Sequence, residues 1–198
     1  MDKSDIRRLV KAQKALLEAA EQAEAAERAF ARFETSAAFM MADNILMYHS
    51  LPDEISTHAF LDKWHERKHF FLPRVNGADL EILPYDRSRL SLGAFLIEEP
   101  EGVDTVDMDT IDLVVVPAVA YDCQCNRVGR GRGYYDRVLR GHHLNHAKYN
   151  ETAVPSLGIG CGLVVFEIRY ADSPSRYKGE LHQRSEFCVT YDEQYGGR

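Results

Sequence analysis

No run of about 18 consecutive apolar residues occurs in this chain, so nothing in it reads as a membrane-spanning helix. Cysteine is scarce: Cys123, Cys125, Cys161 and Cys188 are the only four. Their irregular spacing, with a CxC pair, does not match a structural zinc knuckle, and free thiols in a reducing cytoplasm are the simpler expectation. The leading stretch MDKSDIRRLVK is charged and lacks the apolar core of a signal peptide, so no targeting is expected. Basic residues are outnumbered, 24 Lys and Arg against 31 Asp and Glu, for a net charge of -7. That balance argues against a general nucleic-acid binder. There is no GxxxxGK[ST] phosphate loop and no GxGxxG dinucleotide fingerprint. No internal repeat is visible.

What is there is an ordinary globular composition, 45% hydrophobic and 28% charged over 198 residues. One domain spanning 1–198 is expected. Residues 4–33 read as one long helix, with Ile6, Val10, Leu17 and Ala20 near a 3.6-residue period. NILMYHS (44–50) is a short strand, and Ser56 or Thr57 can cap a helix carrying Phe60, Leu61 and Trp64. HFFLPRV (69–75) is a strand ending near Pro73, and DLEILP (79–84) a third. Residues 85–110 read as a loop with a short ordered piece near Phe95 to Ile97 and an acidic connector, Asp104 to Asp112. The β-branched run from Ile111 to Val116 fits a strand buried on both faces. A helix is expected from Tyr134 to about His142, a further strand at 154–161, and a closing strand at 186–190. Alternating strands and helices give an α/β fold, a three-layer Rossmann-like domain with a mostly parallel sheet between helices.

One stretch is out of character for an acidic chain: NRVGRGRGYYDRVL, residues 126–139. It follows the buried strand and precedes a helix, where open α/β sheets bind ligands. Glycines there let backbone N–H groups approach an anion, and a following helix start adds partial positive charge. Arg127, Arg130 and Arg132 can fork onto phosphate oxygens. Asp136 beside a phosphate site implies an intervening cation, and Mg²⁺ fits. The plain alternative is a glycine-rich turn with solvated arginines. An RNA contact through RGRG is disfavoured by the acidic chain around it.

The segment PAVAYDCQCNRVGRGRGYYDRVL resembles the signature of the 5-formyltetrahydrofolate cyclo-ligases, also called 5,10-methenyltetrahydrofolate synthetases. Pro117, Asp122, Arg127, Gly129, Gly131, Gly133, Tyr134, Tyr135 and Asp136 stand at its fixed positions. Lys3 with Ile6-Arg7, YHSLPDEIST (48–57), Leu72-Pro73-Arg74 and Glu99-Pro100 follow the family's order. The resemblance implies ATP- and Mg²⁺-dependent conversion of 5-formyltetrahydrofolate to 5,10-methenyltetrahydrofolate, with ADP and phosphate released. It implies ATP contacts from Lys3, Arg7 and the run Arg127, Val128, Gly129, Arg130, Gly131, Arg132, Gly133, Tyr134 and Tyr135. It implies folate contacts from His49, Glu54, Arg130, Gly131, Arg132, Gly133 and Tyr134. Arg132, Tyr134 and Asp136 are then the catalytic set, Asp136 the magnesium ligand, and Arg74 a further anion contact. A cytoplasmic monomer without nucleic-acid or membrane partners is expected.

Each position also has a plainer reading. Lys3 and Arg7 repel at i,i+4, and Asp2 and Asp5 could compensate them locally. Glu54 could be a loop acid near a helix start, and Tyr134 a helix-start aromatic packed on the sheet. His142, His143 and His146 suit a helix end better than a zinc site, which needs three protein ligands. The C-terminal stretch departs from the family pattern. His182 stands where an Asp is usual, Glu186 where a second acid is, and Gly160-Cys161 replace a larger pair. That departure motivates an alternative, a folate or nucleotide sensor that keeps the phosphate cradle without turnover.

Overall fold

In this computed structural model residues 2–93, 97–121, 127–140 and the strand backbone of 162–167 are described. The readings on Phe95, Asp122, the four cysteines, His142, His143, His146, the 154–161 and 186–190 strands, Gly160, His182 and Glu186 lie outside those residues.

The chain opens with two helices where the sequence suggested one, α1 (Lys3–Lys14) and α2 (Ala19–Glu34). No Gly or Pro marks the break. Glu18 makes it, forming a reciprocal capping box with Glu21, whose carboxylate accepts from the Glu18 N–H at 2.8 Å. The two helices serve different cores. Val10 of α1 packs with Ala120 and Val128, while Phe30 and Phe33 of α2 join an aromatic cluster under the sheet. A single straight helix could not face both.

After the short α3 (Ala37–Met41) come β1 (Asn44–Leu46), α4 (His58–Trp64), and the hairpin of β2 (His69–Asn76) and β3 (Asp79–Pro84). A second hairpin, β4 (Leu90–Leu92) and β5 (Glu98–Pro100), occupies much of the segment read as loop. Then follow a 3₁₀ turn (Met108–Thr110), β6 (Leu113–Ala118), and the β-bridge of β7 (Ala120–Tyr121) with β8 (Arg127–Val128). Last are α5 (Tyr134–Val138) and β9 (Gly162–Glu167). The main sheet runs β3-β2-β1-β6-β9. β1 is parallel to both β2 and β6, whereas β3 and β9 are antiparallel edges. The sheet is therefore mixed, with a parallel centre. β9 falls at the start of the tail that the sequence left unassigned.

β2 does not stop at Pro73; it continues to Asn76. Val75, two residues on, points its N–H away from β3, to the Glu99 carboxylate at 3.2 Å. Pro73 shares that side, so its missing donor leaves the β3 ladder intact.

Side-chain direction alternates along the central strands, buried on both faces, and defines three layers. Ile45, Met47, Leu113 and Val115 face α2, α3 and α4, meeting Phe30, Phe33, Phe39 and Phe60. Leu46, Val114 and Val116 face the other way, toward Tyr135, Val138 and Leu139 at α5. The acids read as a solvated connector have local duties. Asp107 caps the 3₁₀ turn, and Asp112 accepts from the N–H groups of Asp43 and Asn44 at 3.0 and 2.8 Å, fixing the start of β1. No helix among the described residues is long and apolar enough to cross a membrane.

Candidate active site

From β1 the chain passes to β2 on one side, then to β6 on the other. The direction of winding reverses between β1 and β6, and a crevice opens beyond their carboxyl ends. A cleft of about 630 Å³ lies there. The segments that follow the two strands line it: Tyr48, His49, Leu51 and Glu54 after β1, and Val119, Arg127 and Gly129 to Asp136 after β6. α1 contributes Lys3 and Arg7. Every candidate site residue taken from the sequence except Val128 and Arg74 lines this cleft. The Val128 side chain is buried against Val10 and Ala120 instead.

Asp2 caps α1, accepting from Ser4 N and Asp5 N at 2.7 and 2.8 Å, and Asp5 pairs with the exposed Arg8. Arg7 reaches across the fold and donates from Nε to the Gly129 carbonyl at 2.7 Å. Its guanidinium packs on Gly131, whose φ is +99°, a conformation L side chains rarely adopt. The turn from Gly129 to Gly133 is thus glycine-dependent because it is both strained for other residues and pressed against a cation.

Two further cations of the turn are paired with carboxylates. Arg127 donates to Asp136 Oδ1 at 2.5 Å and to the Pro117 carbonyl at 3.2 Å. Arg130 donates to Glu54 Oε1 at 3.0 Å and to Asp53. Glu54 is nearly buried and accepts also from the Leu51 N–H at 3.1 Å. Thr57, fully buried, closes the same loop by donating to the Tyr48 carbonyl at 2.9 Å and accepting from Ser50 N. Thr57 stands at the N-cap position of α4 without making the side-chain cap expected of it.

α5 is one short turn of five residues, so its dipole adds little, and the anion-attracting character rests on side-chain cations and turn amides. The Tyr135 hydroxyl is buried and has no hydrogen-bond partner among the described residues. Burial pushes its phenol far above the ordinary value; the Glu54 charge adds to this and Arg127 opposes it. It therefore stays a proton donor. Tyr134 lines the cleft with the Arg137 guanidinium over its ring, 5.2 Å from the centroid. Among the described residues no group of three His, Cys, Asp or Glu could by itself hold a metal. Asp136 fits a Mg²⁺ that takes its other ligands from phosphate and water, since one carboxylate suffices there and only Oδ1 is engaged by Arg127.

Sequence reasoning missed the wall formed by Pro73 and Val75 of β2, Leu80 of β3, and Ile97, Glu98 and Glu99 at β5. Residues of three separated elements meet only once the hairpins dock, and only Pro73 and Glu99-Pro100 had been singled out, as family-like positions. Arg74, expected at an anion, does not line the cleft. It bonds Glu81 at 2.6 Å and the Gly102 carbonyl at 2.8 Å. His49 does line the cleft, its ring stacked on His58 at 4.2 Å and its Nδ1 3.4 Å from Glu98.

Burial, reinforced by His58, holds the His49 imidazole below its ordinary 6.5, against the opposing pull of Glu98 and Asp62. The folded protein then binds fewer protons than the unfolded chain just below that pH. Stability is expected to fall as pH drops through 6.5 and to level off once folded His49 protonates. Glu34, held low by Lys63, and Glu81, held low by Arg74, act in a separate window, below their ordinary 4.5. Urea titrations of His49→Gln should show a shallower loss near pH 6.5 than the parent; superimposable profiles would dismiss His49 as the source.

A cationic glycine turn thus stands at the switch point of an α/β sheet, beside an apolar wall bearing carboxylates. The 5-formyltetrahydrofolate cyclo-ligase family matches residues 1–161, and the chain belongs to that family. The Haemophilus influenzae 5-formyltetrahydrofolate cyclo-ligase is 34% identical over 106 residues, 50% of this chain and 57% of that protein. The Escherichia coli K12 5-formyltetrahydrofolate cyclo-ligase is 28% identical over 127 residues, 61% of this chain and 70% of that protein. The chain thus spans little more than half of the first relative's length. The solved structure of Aquifex aeolicus 5,10-methenyltetrahydrofolate synthetase superposes with a TM-score of 0.66 at 22% identity, covering 92% of this chain and all of that one. That likeness is one of fold.

Proposed function

We propose that this chain catalyses the ATP-dependent cyclisation of 5-formyltetrahydrofolate to 5,10-methenyltetrahydrofolate, with release of ADP and phosphate. The observation that carries the proposal is a single cleft lined by Lys3, Arg7, Arg127, Arg130 and Arg132 together with the apolar wall of β2, β3 and β5. One set of residues suits a nucleotide's phosphates, the other a folate's ring system.

The chemistry explains why no nucleophilic side chain is needed. A formamide carbonyl is a weak electrophile and its oxygen a poor leaving group. Transfer of the terminal phosphoryl group to the formyl oxygen forms the O–P bond and expels ADP. N10 then attacks the formyl carbon and loses its proton, and phosphate departs with that oxygen. Phosphoryl transfer requires chiefly alignment and charge neutralisation. Lys3 and Arg7 from α1 and the arginines of the glycine turn supply cations for the transferring group. Glu54, fixed by the Leu51 N–H and Arg130, joins the folate loop to the phosphate turn, so both substrates bear on one ion pair. Tyr135 offers a buried donor beside Arg127 and Glu54. A Mg²⁺ held by Asp136 would neutralise terminal phosphate charge. The reading as a cytoplasmic monomer rests on sequence alone.

The test is the absorbance of the methenyl product formed from 5-formyltetrahydrofolate with and without ATP and Mg²⁺. Product only in their joint presence is the expected result. A protein that binds 5-formyltetrahydrofolate yet releases no ADP would be the non-catalytic sensor, whose motivating residues lie beyond those described.

A further inference from the structure

We propose that Glu99 is the residue that reads the donor edge of the pterin, selecting ligands that carry an exocyclic amine beside a ring N–H. The inference rests on the folate reading above and adds to it a specificity determinant.

Glu99 is one of two buried polar residues among the described ones, only 6% exposed, and it lines the cleft. Its carboxyl group can accept up to four hydrogen bonds. The structure gives it one described partner, the Val75 N–H, 3.2 Å from Oε1. Oε2 lies against Gly93, where a Cβ would come within 1.9 Å of it. Gly93 itself is tied to Ile97 by a backbone bond of 2.8 Å that closes the β4–β5 hairpin. A glycine at the hairpin's end thus makes room for the carboxyl of a buried residue that lines the cleft. A solvent-seeking acid would be cheaper to leave outside.

The surroundings narrow the ligand. Pro73, Val75, Leu80 and Ile97 give an apolar surface suited to a flat ring. Glu98 on the same strand lies beside His49, 3.4 Å from its Nδ1. Arg74, the nearest cation in sequence to Val75, is bonded to Glu81 and to carbonyls of 100 and 102. The group left to meet a heterocycle's edge is an acceptor pair. Two coplanar donors, a ring N–H beside an amine, match such a pair. A ring presenting a carbonyl there would set acceptor against acceptor.

Two ligands separate the outcomes: 5-formyltetrahydrofolate, and its counterpart with the C2 amine replaced by a carbonyl oxygen. Binding of each is measured by calorimetry to wild type and to Glu99→Gln. The glutamine keeps the acceptor for Val75 N–H, so the melting temperature should hold, and its free NH₂ reverses the pattern offered to the cleft. Wild type should prefer the amine ligand by at least about tenfold, and Glu99→Gln should lose or invert that preference. A wild type indifferent to the substitution overturns the proposal whatever the variant does. So does a folded Glu99→Gln that keeps the full preference. Wild-type formation of methenyl product, followed separately, distinguishes the two levels. Turnover without discrimination at Glu99 sinks only this inference, while absence of both binding and turnover sinks the folate reading beneath it.

Discussion

Asp136→Asn should lower ATP-dependent formation of the methenyl product by about a thousandfold while leaving the protein folded. The substitution keeps the shape of the side chain and an oxygen for Arg127, now 2.5 Å from Oδ1. It removes the charge that a magnesium ion needs. Arg127 is itself well covered, whereas Asp136 is largely exposed, and an ion pair of that kind contributes at most about 1 kcal/mol. Activity and stability should therefore separate. The measurement is methenyl absorbance at saturating ATP and Mg²⁺, with a thermal melt alongside. Turnover near the parent level would remove Asp136 as the metal ligand.

The largest effect on stability is expected far from the cleft, at Phe60. Its ring lies 4.4 Å from Phe30, 5.5 Å from Phe33, 5.3 Å from Phe39 and 6.2 Å from Phe70, measured between centroids. It is 3% exposed and ties α2, α3 and β2 to α4. Truncation leaves a hole bordered by rigid rings that cannot collapse into it. Phe60→Ala should cost about 3–5 kcal/mol, a large share of the roughly 5–15 kcal/mol that holds a domain together. Urea unfolding gives the value directly. A loss under about 1 kcal/mol would mean the cluster is far more adaptable than its packing indicates.

The central strands were readable because local and tertiary demands agree there. The run from Ile111 to Val116 fits a strand covered on both sides; the strand takes up at Leu113, and Leu113 to Val116 are fully buried. The α1–α2 break was not readable, because every residue between Lys11 and Ala20 favours helix. The Glu18–Glu21 capping box that starts α2 lets Val10 and Phe30 face separate cores. β4 and β5 were hidden for another reason. They are three residues each, and Glu98-Glu99-Pro100 has no alternating pattern, since its buried acid is stabilised by a partner on another strand. Three of the cleft's cations, Arg127, Arg130 and Arg132, lay in one contiguous motif and so were visible in the chain itself, while Lys3 and Arg7 are brought to it by α1. The apolar half is scattered over β2, β3 and β5, and only folding brings it together. Arg74 shows the converse: a charged residue in a family-like triplet whose bonds go to Glu81 and to the carbonyls of Pro100 and Gly102.

Arg127 and Arg130 hold Asp136, Asp53 and Glu54. On the proposed function, a polyanion reaching these two guanidinium groups would swap places with resident carboxylates. The free energy of capture there would be the difference between two sets of ionic contacts, which would keep occupancy reversible. The same swap would run backwards on release, the acids returning to the guanidinium groups they had left, so that neither stands uncompensated.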